Sequence, residues 1–222
     1  MHSIKVIGGE LVACGDAAQL YRRIGPEQWE PIIPDITADE QVRRKSTFAA
    51  IASGGDLSAG VDALRAGKSF VALGEGPEGE ILIGGEFGLV ARVREDIYQE
   101  VRVAERSLIM FVAPQADVLT AVGWQDATTR IFRGQIETGL DAIAESRLIG
   151  NATSAAYFGG ELFVGSKVGL FQFRNGGFVQ IAKDRIGGVS GLSATENVLW
   201  IIGHHDVFRL TADGLQHFPQ AV

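Results

Sequence analysis

Short apolar runs that end in glycine recur along the chain, and each run begins at an acidic residue or Asn. The clearest run, residues 161–165 (ELFVG), precedes an alternating apolar and polar segment at residues 170–173 and the turn dipeptide Asn175-Gly176. Asn-Gly reaches positive φ at low cost and is typical of two-residue hairpins. The pattern predicts three short antiparallel strands in this part of the chain.

The same pattern recurs at six positions, and the five steps from the first to the last average about 37 residues. The first residues of these runs are Glu10, Asp56, Glu80, Asp117, Glu161 and Asn197. A further apolar run lies before each of them and others follow, which gives four short strands per period. A four-stranded unit cannot bury both of its faces alone, and radial stacking of such units produces a β-propeller. We therefore predict an all-β propeller of six four-stranded antiparallel blades, in a single domain spanning residues 1–222.

The second period departs most from the repeat. Residues 37–40 (TADE) have the form of a capping box, and Leu57, Val61 and Leu64 have helical spacing, which favours five blades plus a helical insertion at residues 34–67. Residues 46–57, however, resemble residues 152–162 almost position for position, which favours a sixth blade. Both interpretations stay open at this stage.

The repeat resembles a known class of sequence. An acidic residue, a leucine-rich run ending in Gly, a Leu-Phe or Val-Phe pair and a later aromatic residue, as in residues 161–178, are similar to the degenerate propeller repeats of bacterial sensor ectodomains, photosystem assembly factors and sialidase-like proteins. The resemblance covers most of the chain and implies the architecture. It transfers no functional residue, because the WD dipeptide, the kelch glycine pair and the Asp-box are all missing.

Composition excludes several classes of function. The 222 residues carry a formal net charge of −7, and the pI is about 5.1, which argues against general nucleic-acid binding because that role needs a basic surface. The single cysteine, Cys14, excludes an internal disulfide framework. No apolar run is long enough for a membrane span, and the N-terminal residues lack the features of a signal peptide. We expect a cytoplasmic protein without a membrane partner, although a chain trimmed of its leader would have the same sequence.

Titratable side chains are sparse in the first strand of each predicted blade, where propeller enzymes usually have their catalytic residues. The first strand of each predicted blade, for example residues 108–114 (LIMFVAP), is nearly free of titratable side chains. General acid–base catalysis and metal binding need such groups, so we expect a non-enzymatic protein without cofactor or metal. The adjacent pair His204-His205 does not change this expectation, because neighbouring strand residues point in opposite directions.

Two recurrent features predict a binding surface. Phe87 and Trp124 lie in predicted turns, where neither is needed for turn geometry. Arginines recur 11 to 15 residues before five of the six runs, at Arg44, Arg65, Arg106, Arg147 and Arg185. The predicted contact residues are Phe87, Trp124, Gln125, Asp126, Lys167, His204, His205, Arg106, Arg147 and Arg185. Aromatic residues with arginines are typical of protein interfaces.

The arginines have a second interpretation, in which each one only ties neighbouring blades together. We expect this bracing role mainly for Arg147 and Arg185, and binding mainly for Trp124 and Phe87. The predicted function is therefore that of a scaffold, assembly factor or toxin inhibitor that binds a protein partner. The alternatives are a carbohydrate-binding, lectin-like propeller and, third, a hydrolase or lactonase.

Overall fold

The computed structural model describes residues 1–103 and 105–219, in which twenty strands form five four-stranded antiparallel sheets. Each sheet, called a blade below, uses four consecutive strands in chain order. The first blade contains β1 (Ser3–Ile7), β2 (Glu10–Cys14), β3 (Leu20–Gly25) and β4 (Gln28–Pro31). The second contains β5 (Phe70–Glu75), β6 (Ile81–Gly85), β7 (Leu89–Arg94) and β8 (Ile97–Arg102). The third contains β9 (Leu108–Gln115), β10 (Val118–Gln125), β11 (Thr128–Gln135) and β12 (Gly139–Ser146). The fourth contains β13 (Ala152–Phe158), β14 (Glu161–Ser166), β15 (Gly169–Arg174) and β16 (Gly177–Ile181), and the fifth contains β17 (Val189–Ala194), β18 (Leu199–Gly203), β19 (Asp206–Thr211) and β20 (Gly214–Pro219).

The blade count of six was wrong, and the alternative of five blades with a helical insertion at residues 34–67 is confirmed. Two helices, α1 (Pro34–Ala52) and α2 (Leu57–Arg65), connect the first and second blades. Asp56, which we had placed at the start of a strand, is the N-cap of α2. Its carboxylate accepts hydrogen bonds from the backbone N–H groups of Ser58 (2.8 Å) and Ala59 (3.4 Å).

The capping box at residues 37–40 was also wrong. Helix α1 begins three residues earlier, at Pro34, whose fixed φ suits the first helical turn. Thr37 is buried inside the helix, and its hydroxyl donates to the carbonyl oxygen of Ala18 at 2.8 Å. Its side chain therefore fastens α1 to the first blade and does not cap the helix.

The chain divides into two compact units. The first contains Met1–Ala121 with Arg133–Asp141, and the second contains Val122–Phe132 with the chain from Ala142 onward. In the first unit, Val12 and Leu20 of the first blade share a buried cluster with Phe70, Ile83 and Leu89 of the second blade.

The second unit has an apolar core of its own. Phe163 and Leu170 of the fourth blade belong to one cluster with Leu199, Ile201 and Phe208 of the fifth. In each unit the second strand of one blade is buried along almost its whole length, as in Ile81–Gly85 and Glu161–Ser166, so both faces of that blade are covered there. Buried and exposed positions alternate in β18 of the fifth blade.

Some apolar side chains of the first and fifth blades are exposed. In the first blade, Val6 is 57% exposed and Trp29 is 40% exposed. In the fifth blade, the rings of Trp200 and Phe218 contact each other at a tilt of 43° with centroids 6.1 Å apart, and Ile202 is 47% exposed. In both blades a row of apolar side chains is therefore in contact with water.

One irregularity recurs in three blades. The first strand carries an extra residue opposite the second strand, so that the register shifts by one. The extra residues are Val71 in the second blade, Thr153 in the fourth and Ser190 in the fifth. In the fifth blade the hydroxyl of Ser190 donates back to the carbonyl oxygen of Ile202 at 3.0 Å. The position is thus a recurrent β-bulge of the blade.

Within residues 1–103 and 105–219, neither helix combines the length and the apolar character that crossing a membrane requires.

Candidate functional site

Most of the predicted turn residues lie in turns, but the prediction was wrong for Trp124 and Gln125, because β10 continues to Gln125 and includes both. Phe87 lies between the second and third strands of its blade, as do Asp126, Lys167 and the pair His204-His205 in theirs. These turns lie at the end of each blade where the chain also enters from the preceding blade. Phe87 and Arg106 belong to the first unit, and the other predicted residues belong to the second.

In the second unit the structure brings Lys167 close to His204. A Cβ atom added to Gly188 would lie 2.4 Å from the His204 ring and 2.8 Å from the carbonyl oxygen of Lys167, so the two residues border the same glycine. The rings of His204 and His205 are 6.5 Å apart, and both are exposed. Among residues 1–103 and 105–219, no three His, Cys, Asp or Glu side chains are grouped as a metal site would require.

The remaining predicted residues of the second unit differ in their surroundings. Trp124 and Gln125 are half-buried at the end of β10, and Asp126 is exposed in a turn with φ of 49°. Arg185 donates a hydrogen bond to the carbonyl oxygen of Leu215 in the fifth blade, at 3.2 Å. We expected a bracing role for Arg185 and Arg147; Arg147 is exposed, and its guanidinium has no hydrogen-bond or ion-pair partner among the residues that the structure describes.

The backbone around Phe87 is rigidly positioned. Phe87 has φ of 55° and ψ of 39°, a left-handed conformation that costs a residue other than glycine free energy. Main-chain hydrogen bonds hold the turn on both sides: the residue before Phe87 donates to Ser69 at 3.1 Å, Gly88 donates to Ser107 at 2.7 Å, and Val103 donates to Gly88 at 2.9 Å. The aromatic ring is thus presented, half-buried, from a fixed backbone.

Phe87 lines a cavity of about 510 Å³ between the helical insertion and the second blade. We call it the α2 cavity, and its lining residues are Asp62, Arg65, Ala66, Phe87, Arg102, Val103 and Arg106. The structure thus brings together Phe87, Arg106 and Arg65, which lie up to 41 positions apart in the sequence. Of the predicted contacts, Phe87 and Arg106 are the two that line this cavity.

The three arginines of the α2 cavity are held to different degrees. Arg102 donates to the carbonyl oxygens of Ala66 and Gly67, at 3.5 and 3.3 Å, and so closes the C-terminal end of α2. Arg65 lies 3.5 Å from the carboxylate of Asp62. Arg106 is exposed, and its guanidinium has no hydrogen-bond or ion-pair partner in the part of the chain that the structure describes.

A buried carboxylate fastens the insertion beside this cavity. Glu40 of α1 is 5% exposed, and both of its oxygens accept hydrogen bonds from Arg43. Arg43 also donates to the carbonyl oxygen of Ala63 in α2. Burial alone would raise the pKa of Glu40, but the hydrogen bonds from Arg43 and from the backbone of Lys68 hold that pKa below its ordinary value.

A second cavity of about 410 Å³ lies at the opposite end of the first two blades. It is also rich in charge, but its carboxylates (Glu10, Glu78, Glu80, Glu95 and Asp96) outnumber its two arginines, Arg22 and Arg94. Arg22 pairs with Glu10 at 3.6 Å and with Asp96 at 3.4 Å, and Arg94 pairs with Glu78 at 3.0 Å. The α2 cavity differs because it keeps positive charge without an internal partner.

Sequence reasoning missed Arg102 and Asp62. Arg102 ends a strand that alternates like any other, and Asp62 looks like an ordinary exposed helical carboxylate. The signal that could have identified them was the insertion itself, since a helix pair between two blades must contact the strand that follows.

The sequence matches no protein-family model and no curated protein with which it was compared. Its similarity to solved structures is clear. A structure of the mitotic checkpoint complex aligns over 96% of this chain and 62% of that one, with a TM-score of 0.64 and 9% identity. The WD40 β-propeller domain of Doa1 aligns over 94% and 64%, with a TM-score of 0.57 and 10% identity.

The fold is a β-propeller. YCF48 bound to D1 peptide also resembles the chain, over 98% of it and 63% of that chain, with a TM-score of 0.57 and 11% identity. The propeller described here therefore spans less than two thirds of the length of these three chains. At identities this low, the similarity shows the architecture and not the activity.

Proposed function

We propose that this propeller is a non-enzymatic protein that binds a protein partner, and that the α2 cavity is the centre of its binding surface. The observation that carries the proposal is Phe87, a half-buried aromatic residue fixed in a left-handed turn beside arginines. Aromatic residues and arginines at partly enclosed positions supply much of the energy of protein interfaces.

The structural neighbours support a binding role of this kind. Two of them were solved as assemblies: the mitotic checkpoint complex, and YCF48 bound to D1 peptide. Rigidity adds to the argument, because a surface fixed before binding loses little conformational entropy on association.

The test is affinity capture from source cells with the tagged chain, run in parallel with two variants. Phe87→Ala removes the aromatic ring of the α2 cavity, and Trp29→Ala removes an exposed aromatic residue of the first blade as a matched control. We expect one protein that the unmodified chain and Trp29→Ala retain and Phe87→Ala loses. Circular dichroism must first show that both variants are folded.

Equal retention by all three baits would move the binding surface away from the α2 cavity. Trp124 and the Lys167–His204 pair would then be the next candidates, and the same comparison with Trp124→Ala would test them. Failure of the unmodified chain to retain any protein would contradict the binding role itself.

A further inference from the structure

We propose that the α2 cavity binds an acidic residue of the partner protein that has an apolar residue beside it in the sequence. This inference rests on the proposed function and specifies the chemistry of the ligand. It follows from three features of the cavity: an excess of positive charge on an acidic protein, one arginine without a partner, and an apolar wall.

The charge of the cavity opposes that of the chain. The whole protein carries a formal charge of −7, whereas the α2 cavity gathers three arginines and a single aspartate. A concave site lined by one sign of charge focuses its field and attracts ligands of the opposite sign. A negatively charged group is therefore the ligand that the cavity favours.

The three arginines contribute in different ways to binding this negatively charged group. Arg102 is already bound to the end of α2, so its charge is fixed at the cavity wall. Arg106 is free to form the planar, two-point contact that guanidinium makes with carboxylate. The carboxylate of Asp62, 3.5 Å from Arg65, competes with an incoming anion for that guanidinium.

The rest of the wall is apolar. Phe87, Val103 and Ala66 line the same cavity as the guanidinium groups. An apolar side chain next to the acidic residue would cover the Phe87 ring and exclude water from the charge pair. Nucleic acid fits less well, because a polyanion would meet the negative field of the remaining surface.

The experiment measures fluorescence anisotropy with four labelled probes: an eight-residue peptide of alternating Glu and Leu, its Gln and Leu counterpart, a phosphoserine peptide, and a single-stranded oligonucleotide. We expect the Glu peptide to bind at least about tenfold more tightly than the other three probes, which corresponds to ~1.4 kcal/mol. Affinity should fall as added salt screens the charges.

Three variants locate the contact. Arg106→Ala should weaken the Glu peptide about tenfold, and it should fold normally because Arg106 bonds to no described residue. Arg174→Ala, which removes an exposed arginine of β15, should change nothing. Asp62→Asn should strengthen binding about threefold or more, since it releases Arg65; a merely structural role for Asp62 gives no such gain.

Preferential binding of the Gln peptide, the phosphoserine peptide or the oligonucleotide would overturn the inference, as would an unchanged affinity in Arg106→Ala. If the Glu peptide does not bind but capture still yields a partner that depends on Phe87, the proposed function stands and the acidic ligand is wrong. If the Glu peptide binds and capture yields nothing, the chemistry of the cavity stands and the cellular role fails.

Discussion

Glu40 is almost fully buried, yet its surroundings favour the charged form. Three hydrogen bonds from Arg43 and one from the backbone of Lys68 outweigh the cost of burial and keep the pKa of the carboxyl below its ordinary value. A carboxyl whose pKa is lower in the folded state stabilises the protein above its unfolded pKa, and this stabilisation is lost as the pH falls through the folded value.

We therefore expect Glu40→Gln to reduce the free energy of unfolding by about 1.5–3 kcal/mol at pH 7, the usual range for hydrogen bonds to a charged group. The difference from the unmodified protein should shrink as the pH falls from about 4.3, the ordinary pKa of Glu, through the lower pKa of the folded state, below which both proteins carry a neutral side chain. Urea unfolding at a series of pH values measures this difference. Asp39→Asn, at an exposed position of the same helix, is the control and should cost little at any pH. A difference independent of pH would show that Glu40 acts through shape alone.

At the scale of the secondary-structure element, the strands could be predicted from the sequence, but the helices could be predicted only in part. Each confirmed run ends in the tight turn that a blade needs, and glycine or Asn-Gly marks that turn in the sequence. Residues 34–67 carried two compatible patterns, because alanine, serine and phenylalanine at positions 46–50 suit a strand as well as a helix. Packing decided between them, since the helical form lets Thr37 bond to Ala18 of the first blade and Glu40 to the backbone of Lys68, just before the second blade.

The residues of the candidate site, like the helices, could be predicted from the sequence only in part. Phe87 was identified because a turn does not require an aromatic residue, and Arg106 because of its recurrence. The cavity could not be predicted, since it exists only where α2 packs beside β8 and Arg102 reaches the end of the helix. Contacts of that kind depend on tertiary packing and leave no local pattern in the sequence.

The N-cap residue of α2, Asp56, allows a test of whether the α2 cavity depends on this helix. Asp56→Ala removes the acceptor for two backbone N–H groups and should cost about 1 kcal/mol. Because Asp62, Arg65 and Ala66 all lie on or at the end of α2, the Glu peptide should also bind less tightly. Hydrogen exchange should show faster exchange in α2 and unchanged strands. The control is Asp213→Ala in an exposed turn; equal exchange in both variants would mean that Asp56 does not hold the helix.

At the scale of the whole molecule, the net charge opposes the self-association that the exposed apolar side chains favour. Trp200, Phe218 and Val6 are all more than a third exposed, and surfaces of this kind favour association. The charge of −7 at pH 7 keeps copies of the chain apart. This balance should change with pH, because the net charge vanishes near the pI of about 5.1.

We expect light scattering to show a larger particle at pH 5 than at pH 7.5, and a further increase at pH 7.5 when salt screens the repulsion. Trp200→Ser with Phe218→Ser should reduce the increase. Trp124→Ser, which replaces a half-buried tryptophan elsewhere, serves as the comparison. A particle of the same size at both pH values would show that the exposed apolar rows do not drive association.

The bulge in the first strand of three blades affects how relatives of this chain can be recognised. When one of these blades is compared without gaps with the first blade, whose first strand carries no bulge, it falls out of step at Val71, Thr153 or Ser190, so residues that share a face are set against residues of the opposite face. Alternating positions then cancel, and the similarity between true repeats falls towards that of unrelated strands. An alignment of blades that places a one-residue gap at each bulge, and removes residues 34–67, should restore the shared pattern and make distant homologues detectable from sequence.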